Sequence, residues 1–217
     1  MNEEDRDYLH ARMEMVDRQL RARGIVHPGV LEAFQQVPRH LFVQAGSAQE
    51  TYADHPLPIG CQQTISQPLI VAITLEQLDP QPGHRVLEVG AGSGYQTALL
   101  ARLVARVYAV ERIGELTERA AAALAALNVS NVALRTGDGS LGWPEEAPFD
   151  RIVCGAVAPA VPKCWIDQLV DGGRIVTPVG DMNSQMLQVI CKAGGKVTAR
   201  DVCGVRFVPL IGQEAWP

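Results

Sequence analysis

The pattern of hydrophobic and polar positions divides the chain at about residue 79. Before it, apolar residues recur at helical spacing in 5–23, 28–37 and 69–78. After it, short apolar runs alternate with segments of helical character. The predicted strands are 86–89, 106–110, 132–136, 150–156 and 174–179, then a hairpin of 186–191 and 196–203, and a closing strand at 205–210. The predicted helices between them are 97–103, 113–127 and 163–170.

This alternation predicts an α/β fold with a doubly wound, Rossmann-like sheet, an N-terminal helical extension and a late antiparallel hairpin. We expect a single domain over 1–217, in which 1–78 supplies helices and an active-site loop and 79–217 forms the ligand-binding core. The loop is predicted at 51–68, where three prolines, a glycine and many hydroxyl and amide side chains indicate an irregular polar segment. Loops of this length inside a domain are often functional.

A glycine cluster follows the first strand of the sheet, at Gly90, Gly92 and Gly94. Such a turn between a strand and a helix lets the backbone pass close to a ligand, in part at positive φ. A dinucleotide-binding loop would require a third glycine where Tyr95 stands. Glu88 would repel a pyrophosphate but suits a cationic group, such as the ammonium of S-adenosylmethionine (AdoMet). The pattern E-x-G-x-G-x-G resembles motif I of AdoMet-dependent methyltransferases; the alternative is a glycine-rich turn without a ligand.

Two further carboxylates follow the next two strands. Glu111 comes 21 residues after Gly90 and is placed to accept hydrogen bonds from both ribose hydroxyls of an adenosine. Asp138, in the sequence Gly-Asp-Gly that ends at Gly139, is placed to bind the adenine amino group. The alternatives are a solvated carboxylate at a helix start and a plain Asp-Gly turn. Because the carboxyl ends of parallel strands share one edge, these residues and Gly155 are expected in one pocket.

Composition narrows the class of protein. The 217 residues are 47% apolar and 20% charged, with a net charge of −5 and no long basic run, so nucleic acid is not expected as a partner. No stretch approaches the ~20 apolar residues that span a bilayer, and the first residues are acidic where a signal peptide is basic. We therefore expect a cytoplasmic protein that does not bind a membrane. The five cysteines are widely spread without a C-x-x-C pair, which predicts neither disulfides nor a metal site; all but Cys61 are expected to behave as small core residues.

Several stretches together resemble one family, the protein-L-isoaspartate O-methyltransferases. They are PLPIG at 56–60, QTISQP at 63–68, VLEVGAGSGYQTA at 86–98, GDG at 137–139, GAVAPAVP at 155–162 and RFVPL at 206–210. The resemblance implies methyl transfer from AdoMet to the free α-carboxylate of L-isoaspartyl residues in damaged proteins. The ester then collapses to a succinimide, whose hydrolysis restores some normal aspartate.

The resemblance also implies roles for individual residues. Ser66 corresponds to the active-site serine. The cofactor contacts correspond to Glu88, Gly90, Gly92, Gly94, Glu111, Asp138 and Gly139. The walls of the acceptor groove correspond to Val157, Phe207 and Val208. Apart from the resemblance, we expect backbone groups of Thr64 and Ile65 to pair with an extended peptide substrate. Ser66 lacks the surroundings of a nucleophilic serine, so it is expected to orient the acceptor carboxylate; the alternative is a cap for the helix that begins near Pro68.

The expected chemistry requires no base, because a carboxylate acceptor with a pKa of about 4 is already ionised at pH 7. It requires alignment with the methyl group and removal of water. Two other functions stay open: a methyltransferase for another carboxylate or a small molecule, and a binding module that has lost catalysis. We expect a monomer whose partners are isoaspartyl proteins. Cys61 stands where the family often has an aromatic residue, and it is either a reactive thiol or an inert half-buried one. His55 and Trp216 receive no role.

Overall fold

The computed structural model describes residues 3–44 and 46–217 and has a mixed seven-stranded sheet at its centre. A separate two-stranded hairpin precedes the sheet. The strands are β1 Leu57–Gly60, β2 Gln63–Ile65, β3 Arg85–Val89, β4 Arg106–Glu111, β5 Val132–Thr136, β6 Phe149–Cys154, β7 Leu169–Gly180, β8 Gln185–Ala193 and β9 Lys196–Gly204.

The strand order is β5-β4-β3-β6-β7-β8-β9, with β3 to β7 parallel and β8 and β9 antiparallel. This is the predicted fold class. In the register of the parallel strands, Val86 of β3 lies between Val107 of β4 and Arg151 of β6. The chain runs outward from β3 to β5 and then returns to the other side of β3 at β6. The crevice beyond the carboxyl ends of β3 and β6 is therefore the place where such sheets bind ligands.

The predicted helices agree with the structure to within a few residues, and the short α3 was not predicted. They are α1 Glu3–Glu14, α2 Pro28–Gln36, α3 Ala48–Thr51, α4 Pro68–Leu78, α5 Tyr95–Ala101, α6 Gly114–Ala126 and α7 Lys163–Asp167. After α1 the chain continues as a π-helical segment, Met15–Leu20, and a 3₁₀ turn, Arg21–Arg23. Gly24 ends this run with φ +94°, as predicted for a glycine after a helix.

Apolar side chains on the two faces of the sheet belong to two separate clusters. Val86, Val107 and Val153 point to the face covered by the N-terminal helices and by α4, α5 and α6. Leu87 and Ile152, their neighbours in sequence, point to the other face, where Trp165 of α7 is fully buried. Strands with both faces covered are typical of parallel sheets. The first cluster includes residues of both the N-terminal helices and the sheet.

The segment 51–68 was predicted as an irregular loop, and that prediction was wrong. It contains the end of α3 and the β1–β2 hairpin, with Leu57 paired to Ile65. The connection is a tight turn in which Cys61 and Gln62 have φ +51° and +59°. Neither is the asparagine or glycine that normally indicates such a turn, so the sequence lacks the usual hairpin signal. Burial of alternate apolar residues against the core stabilises the hairpin instead.

Two further predictions need correction in the last third of the chain. Helix α7 ends at Asp167, and β7 begins at Leu169 and runs through the Asp171–Gly173 segment predicted to follow a longer helix. The predicted closing strand at 205–210 has only a single bridge between Val157 and Pro209. Pro209 lacks the N–H that a regular ladder needs, which limits pairing there.

Burial of the cysteines differs from the expectation of four core residues. Cys154 is buried, whereas Cys61, Cys164, Cys191 and Cys203 are half-buried. All five thiols are unpaired. Among the described residues, no helix combines the length and apolar character needed to cross a membrane.

Candidate functional site

The glycine loop between β3 and α5 lies in the crevice beside β6. Gly90, Gly92 and Gly94 have φ values of +77°, +56° and +92°, as expected for a loop that needs the left-handed region. Gly155, just after β6, donates its N–H to the Val89 carbonyl at 2.9 Å. A Cβ at Gly155 would lie 3.0 Å from the Gly90 carbonyl oxygen. The two strand ends therefore approach each other closely and leave a surface of bare backbone.

Glu88 lies beneath this loop and is fully buried. Its Oε1 accepts a hydrogen bond from the Gln96 amide at 3.0 Å, and its Oε2 has no partner. Burial raises the pKa of Glu88 to about 7, and the Glu111 carboxylate acts in the same direction. Hydrogen bonding from the side chains of Thr97 and Gln96 opposes this rise in pKa, so donors of the chain itself face the carboxylate.

Glu111, at the end of β4, is almost fully buried and fixes the same loop. Its Oε2 accepts from the Gly92 N–H at 2.8 Å, and its Oε1 accepts from the Ile113 N–H at 2.9 Å. Each carboxylate oxygen keeps acceptor capacity for a further donor. Glu111 therefore fixes the position of the glycine loop and also exposes acceptor atoms to the crevice that it lines.

Asp138, after β5, uses both oxygens within the chain. Oδ1 accepts from the Ser140 hydroxyl at 2.6 Å and Oδ2 accepts from the Gln213 N–H at 2.8 Å. Gly139 beside it lies against β3, because a Cβ at Gly139 would meet Val89 at 2.4 Å. The structure thus places Gly139 in the crevice wall and turns the Asp138 carboxylate toward Ser140 and Gln213.

These elements enclose a pocket of about 110 Å³, which we call the glycine-loop pocket. Its lining includes Gly90, Gly92, Glu111, Gly139, Gly155, Val110, Ile113, Val208 and Ile211. Bare backbone, one carboxylate with free acceptor capacity and apolar walls suit an adenosine with an attached amino acid group. The residues present therefore fit AdoMet.

A much larger groove, of about 810 Å³, lies on the other side of the β6 end. We call it the large groove. It is lined by Pro56, Thr64, Ser66, Gln67, Ile70, Gly155, Met182 to Met186 and Gly204 to Pro209. Among these described lining residues only Arg206 is charged. The groove therefore offers hydroxyl, amide, backbone and apolar surface.

Ser66 lies where the two spaces meet. It lines the large groove and also a small junction cavity of about 50 Å³ beneath the glycine loop. Thr64 and Gly155 line the large groove, the glycine-loop pocket and the junction cavity. Within residues 3–44 and 46–217 the Ser66 hydroxyl makes no hydrogen bond. It is free to donate to a ligand in the groove.

The alternative that Ser66 caps α4 is not supported. The cap position is Gln67, whose side chain makes no capping bond. Asp54 caps the start of α4 instead. Its Oδ1 accepts a hydrogen bond from the Leu69 N–H at 3.0 Å, and its Oδ2 accepts one from the side-chain amide of Gln67 at 2.7 Å. Arg23 also pairs with Asp54. Asp54 therefore holds the chain just after Ser66, a role that the sequence did not reveal because the partners are separated along the chain.

The predicted substrate residues differ in how they reach the groove. Phe207 and Val208 line it, and Ile65 lies in the wall of the junction cavity. Val157 is fully buried and contributes through its backbone, since its N–H donates to the Val208 carbonyl at 2.9 Å. Gln185, which the sequence did not indicate, binds both polar backbone groups of Phe207: Oε1 accepts from the N–H at 2.6 Å and Nε2 donates to the carbonyl at 3.3 Å.

His55 and Cys61, whose roles the sequence left undecided, lie outside the centre of the site. His55 is exposed and contacts the Pro56 carbonyl at 3.0 Å. The Cys61 Sγ donates to Glu115 Oε2 at 3.5 Å, and desolvation together with that carboxylate raises the pKa of the thiol. A raised pKa disfavours the thiolate, so the inert alternative fits Cys61 better.

Comparison with known proteins supplies independent findings. A family model described as protein-L-isoaspartate(D-aspartate) O-methyltransferase matches residues 11–215. A protein-L-isoaspartate O-methyltransferase of Trichlorobacter lovleyi is 54% identical over 207 residues, which cover 95% of each chain. Another, of Desulfosudis oleivorans, is 49% identical over 216 residues, covering 100% of this chain and 98% of the relative.

Two solved structures that resemble this chain have the same family description. One protein-L-isoaspartate O-methyltransferase has a TM-score of 0.86 at 27% identity, covering 94% of this chain and 67% of its own. A second, described as a protein-L-isoaspartate O-methyltransferase of Plasmodium falciparum in complex with S-adenosyl-L-homocysteine, has a TM-score of 0.81 at 27% identity. The match covers 91% of this chain and 97% of that one. Each match spans more than nine-tenths of this chain.

Proposed function

Because the chain belongs to the protein-L-isoaspartate O-methyltransferase family, and so transfers a methyl group from AdoMet to L-isoaspartyl residues, we propose which residues perform that reaction. The family, reaction and cofactor predicted from the sequence are confirmed. The observation that carries the residue assignment is the place of Ser66, where the large groove meets the junction cavity beneath the glycine loop.

AdoMet, when bound, supplies a methyl group on a positively charged sulfur. The glycine-loop pocket would hold it through the backbone of Gly90, Gly92 and Gly139, whereas Gly94, predicted as a cofactor contact, packs against Ala120 of α6. Glu111 would accept hydrogen bonds from ribose hydroxyls with the acceptor capacity that Gly92 and Ile113 leave free. Glu88, buried beneath the loop, would orient the start of α5 through its hydrogen bond from Gln96.

Ser66 acts on the acceptor side. Its unpartnered hydroxyl donates to one oxygen of the isoaspartyl α-carboxylate and points the other oxygen at the methyl group. AdoMet held in the glycine-loop pocket would supply the methyl group, and because the acceptor carboxylate is already ionised, no residue of the chain would have to accept a proton. Orientation of this kind contributes several kcal/mol, up to about 7–11 in favourable intramolecular cases. Asp54 supports it by fixing Gln67 and the start of α4.

The composition of the large groove supports recognition of many protein sequences. A repair enzyme must accept isoaspartate in varied surroundings, and the groove offers hydroxyl, amide and apolar groups with Arg206 as its one charged described lining residue. Backbone groups of Thr64 and Ile65 and the wall formed by Phe207 and Val208 are placed to contact an extended peptide. Affinity then depends on the backbone of the substrate more than on its side chains.

We also propose that the enzyme works as a monomer in the cytoplasm, where thiols stay reduced. The five unpaired cysteines support this compartment. Light scattering of the purified chain is expected to give the monomer mass of 23.4 kDa. A stable dimer would contradict the first part of the proposal. Recovery of the tagged chain from another compartment would contradict the second.

The direct test compares two peptides that differ only in having L-isoaspartate or L-aspartate at one site. Transfer of labelled methyl from AdoMet is expected on the isoaspartyl peptide alone, as a base-labile ester. Label on both peptides, or on neither while AdoMet still binds, would contradict the assigned substrate. If neither peptide is labelled while AdoMet still binds, the enzyme would methylate another carboxylate acceptor.

A further inference from the structure

Arg39, just after α2, is a cation in the interior of the molecule. It begins the 3₁₀ turn Arg39–Phe42 and has an exposed fraction of 0%. The guanidinium stays protonated, and burying its charge costs more than burying an apolar side chain of similar volume. The described linings of the glycine-loop pocket and of the large groove do not include it. The charge therefore serves contacts within the chain.

The guanidinium binds the backbone on both sides of Asp54. Its Nε donates to the Thr51 carbonyl at 3.0 Å, and its Nη2 donates to the His55 carbonyl at a longer 3.5 Å. These carbonyls lie in the segment that joins the end of α3 to the β1–β2 hairpin. A planar fork of donors reaches two acceptors at once, which a lysine ammonium on a flexible stem does less well. Arg39 therefore fixes the course of residues 51–55.

The same guanidinium lies over the ring of Tyr95, the first residue of α5. The central carbon of the guanidinium is 5.2 Å from the ring centroid. Tyr95 is almost fully buried, and its ring packs at 6.0 Å from Phe34 and 5.6 Å from Phe42, centroid to centroid. Burial lowers the pKa of Arg39, and the Tyr95 side chain opposes that fall. The attraction between a cation and a ring face is strongest where water is excluded. Arg39 is thus joined to the residue that follows the glycine loop.

Both contacts lead to Ser66. Tyr95 and Ser66 line the same junction cavity beneath the glycine loop. Asp54, between the two carbonyls that Arg39 binds, accepts from the side-chain amide of Gln67 at 2.7 Å. Gln67 directly follows Ser66 in the chain. Arg39 therefore lies between the start of α5, on the cofactor side, and the segment that holds the serine, on the acceptor side.

We propose that Arg39 is a positioning residue for methyl transfer, because it holds the segment that fixes Ser66 at a set distance from the glycine loop. The inference rests on the role proposed for Ser66. Methyl transfer requires the acceptor oxygen in line with the methyl group, and a misplacement of about 1 Å can cost about 100-fold in rate. Since Arg39 acts through the position of Ser66, its loss should lower turnover rather than AdoMet affinity.

The test is a double-mutant cycle of Arg39→Lys and Ser66→Ala, read as kcat for an isoaspartyl peptide at saturating AdoMet. Lysine keeps the charge beside Tyr95 but loses the fork to the two carbonyls. We expect Arg39→Lys to lower kcat about tenfold in the wild-type background and less than about twofold in the Ser66→Ala background. The AdoMet Kd, from calorimetric titration, should stay within about twofold. Arg18→Lys, at an exposed arginine that pairs with Glu14, is the matched control.

The possible outcomes separate this role from general stabilisation. Equal fractional losses of kcat in both backgrounds, or an unchanged kcat in Arg39→Lys, would overturn the inference. A loss of AdoMet affinity as large as the loss of kcat would also overturn it and assign Arg39 to the pocket. An unchanged kcat in Ser66→Ala alone would reject the role of Ser66 and this inference with it. If Arg39→Lys fails to fold, Asp54→Asn, which weakens the link to Gln67, replaces it in the cycle under the same criteria.

Discussion

The glycine-loop pocket and the large groove differ in size, in construction and in the use of their polar groups. The pocket, of about 110 Å³, is built on the ends of β3, β4, β5 and β6. The groove, of about 810 Å³, is built from the hairpin, the turn before β8 and the segment after β9. In the pocket, Glu111 is bonded to the backbone that surrounds it. In the groove, the Ser66 hydroxyl has no partner within the described residues.

We infer that this difference corresponds to the two substrates. AdoMet always has the same shape, so a pocket of bare backbone with one fixed carboxylate is suitable. Damaged proteins share only the isoaspartyl unit and an extended backbone, so a wide groove with few charges suits them. The comparison predicts that changes at the pocket alter AdoMet binding and stability, whereas changes at the groove alter turnover or peptide binding.

The largest effect is expected at Glu88. Its pKa is raised by burial from 4.5 to about 7, so the folded chain binds more protons than the unfolded chain between these values. Its contribution to the free energy of unfolding is full below about pH 4.5 and is lost as the pH rises through 7. The loss amounts to about 3 kcal/mol, at 1.36 kcal/mol per pKa unit.

Denaturant unfolding of the wild type and of Glu88→Gln from pH 4.5 to 8 measures this loss. Glutamine cannot ionise, so the variant should gain about 3 kcal/mol relative to the wild type across this range. Glu118→Gln, which neutralises an exposed carboxylate, is the control. Parallel pH profiles for the wild type and Glu88→Gln would show that Glu88 is not held protonated by its surroundings.

The next effect is at Ser66. Replacement by Ala removes a hydrogen bond to a charged acceptor, which is worth about 1.5–3 kcal/mol, so kcat is expected to fall about 10- to 100-fold. The Kd for AdoMet should stay within about twofold of the wild type. Ser130→Ala, at an exposed serine in the loop between α6 and β5, is the control. Equal losses in turnover and AdoMet affinity would assign Ser66 to the pocket rather than to the groove.

Glu111→Ala should act mainly on AdoMet. The change removes the acceptors of the Gly92 and Ile113 N–H groups and the proposed ribose contact. We expect the Kd for AdoMet to rise about 10- to 30-fold, with a smaller change in the KM for the peptide. Glu118→Ala provides the exposed comparison. Unchanged AdoMet affinity in Glu111→Ala would remove this residue from the cofactor site.

The smallest effect is expected at Gln185. Gln185→Leu deletes two hydrogen bonds to the Phe207 backbone and loosens one wall of the groove. The KM for the peptide should rise about three- to tenfold, because each such bond contributes about 0.5–1.5 kcal/mol. AdoMet affinity should not change. Gln188→Leu is the control, because Gln188 is also in β8 and its side chain donates to Asp201 of β9; an equal effect there would indicate general loosening of β8.

Local patterns predicted much of this molecule. The spacing of Gly90, Gly92 and Gly94, with Glu88 before them, predicted the AdoMet motif and the positive φ values. Alternating apolar runs predicted the sheet and most helix bounds. The turn at Cys61 and Gln62 escaped prediction because neither residue type indicates positive φ, and the hairpin depends on burial against the core.

The sequence by itself determined the family, the fold class and the edge of the sheet that holds the site. These depend on periodicity and on residues a few positions apart, which are readable along the chain. Only the tertiary structure decided the partners of Asp54, Asp138 and Gln185. Asp138 and Gln213 are 75 residues apart along the chain, and Gln185 and Phe207 are 22 apart. Each of these side chains could bond to many chemically equivalent groups. The fold of the backbone decides which of those groups comes within reach.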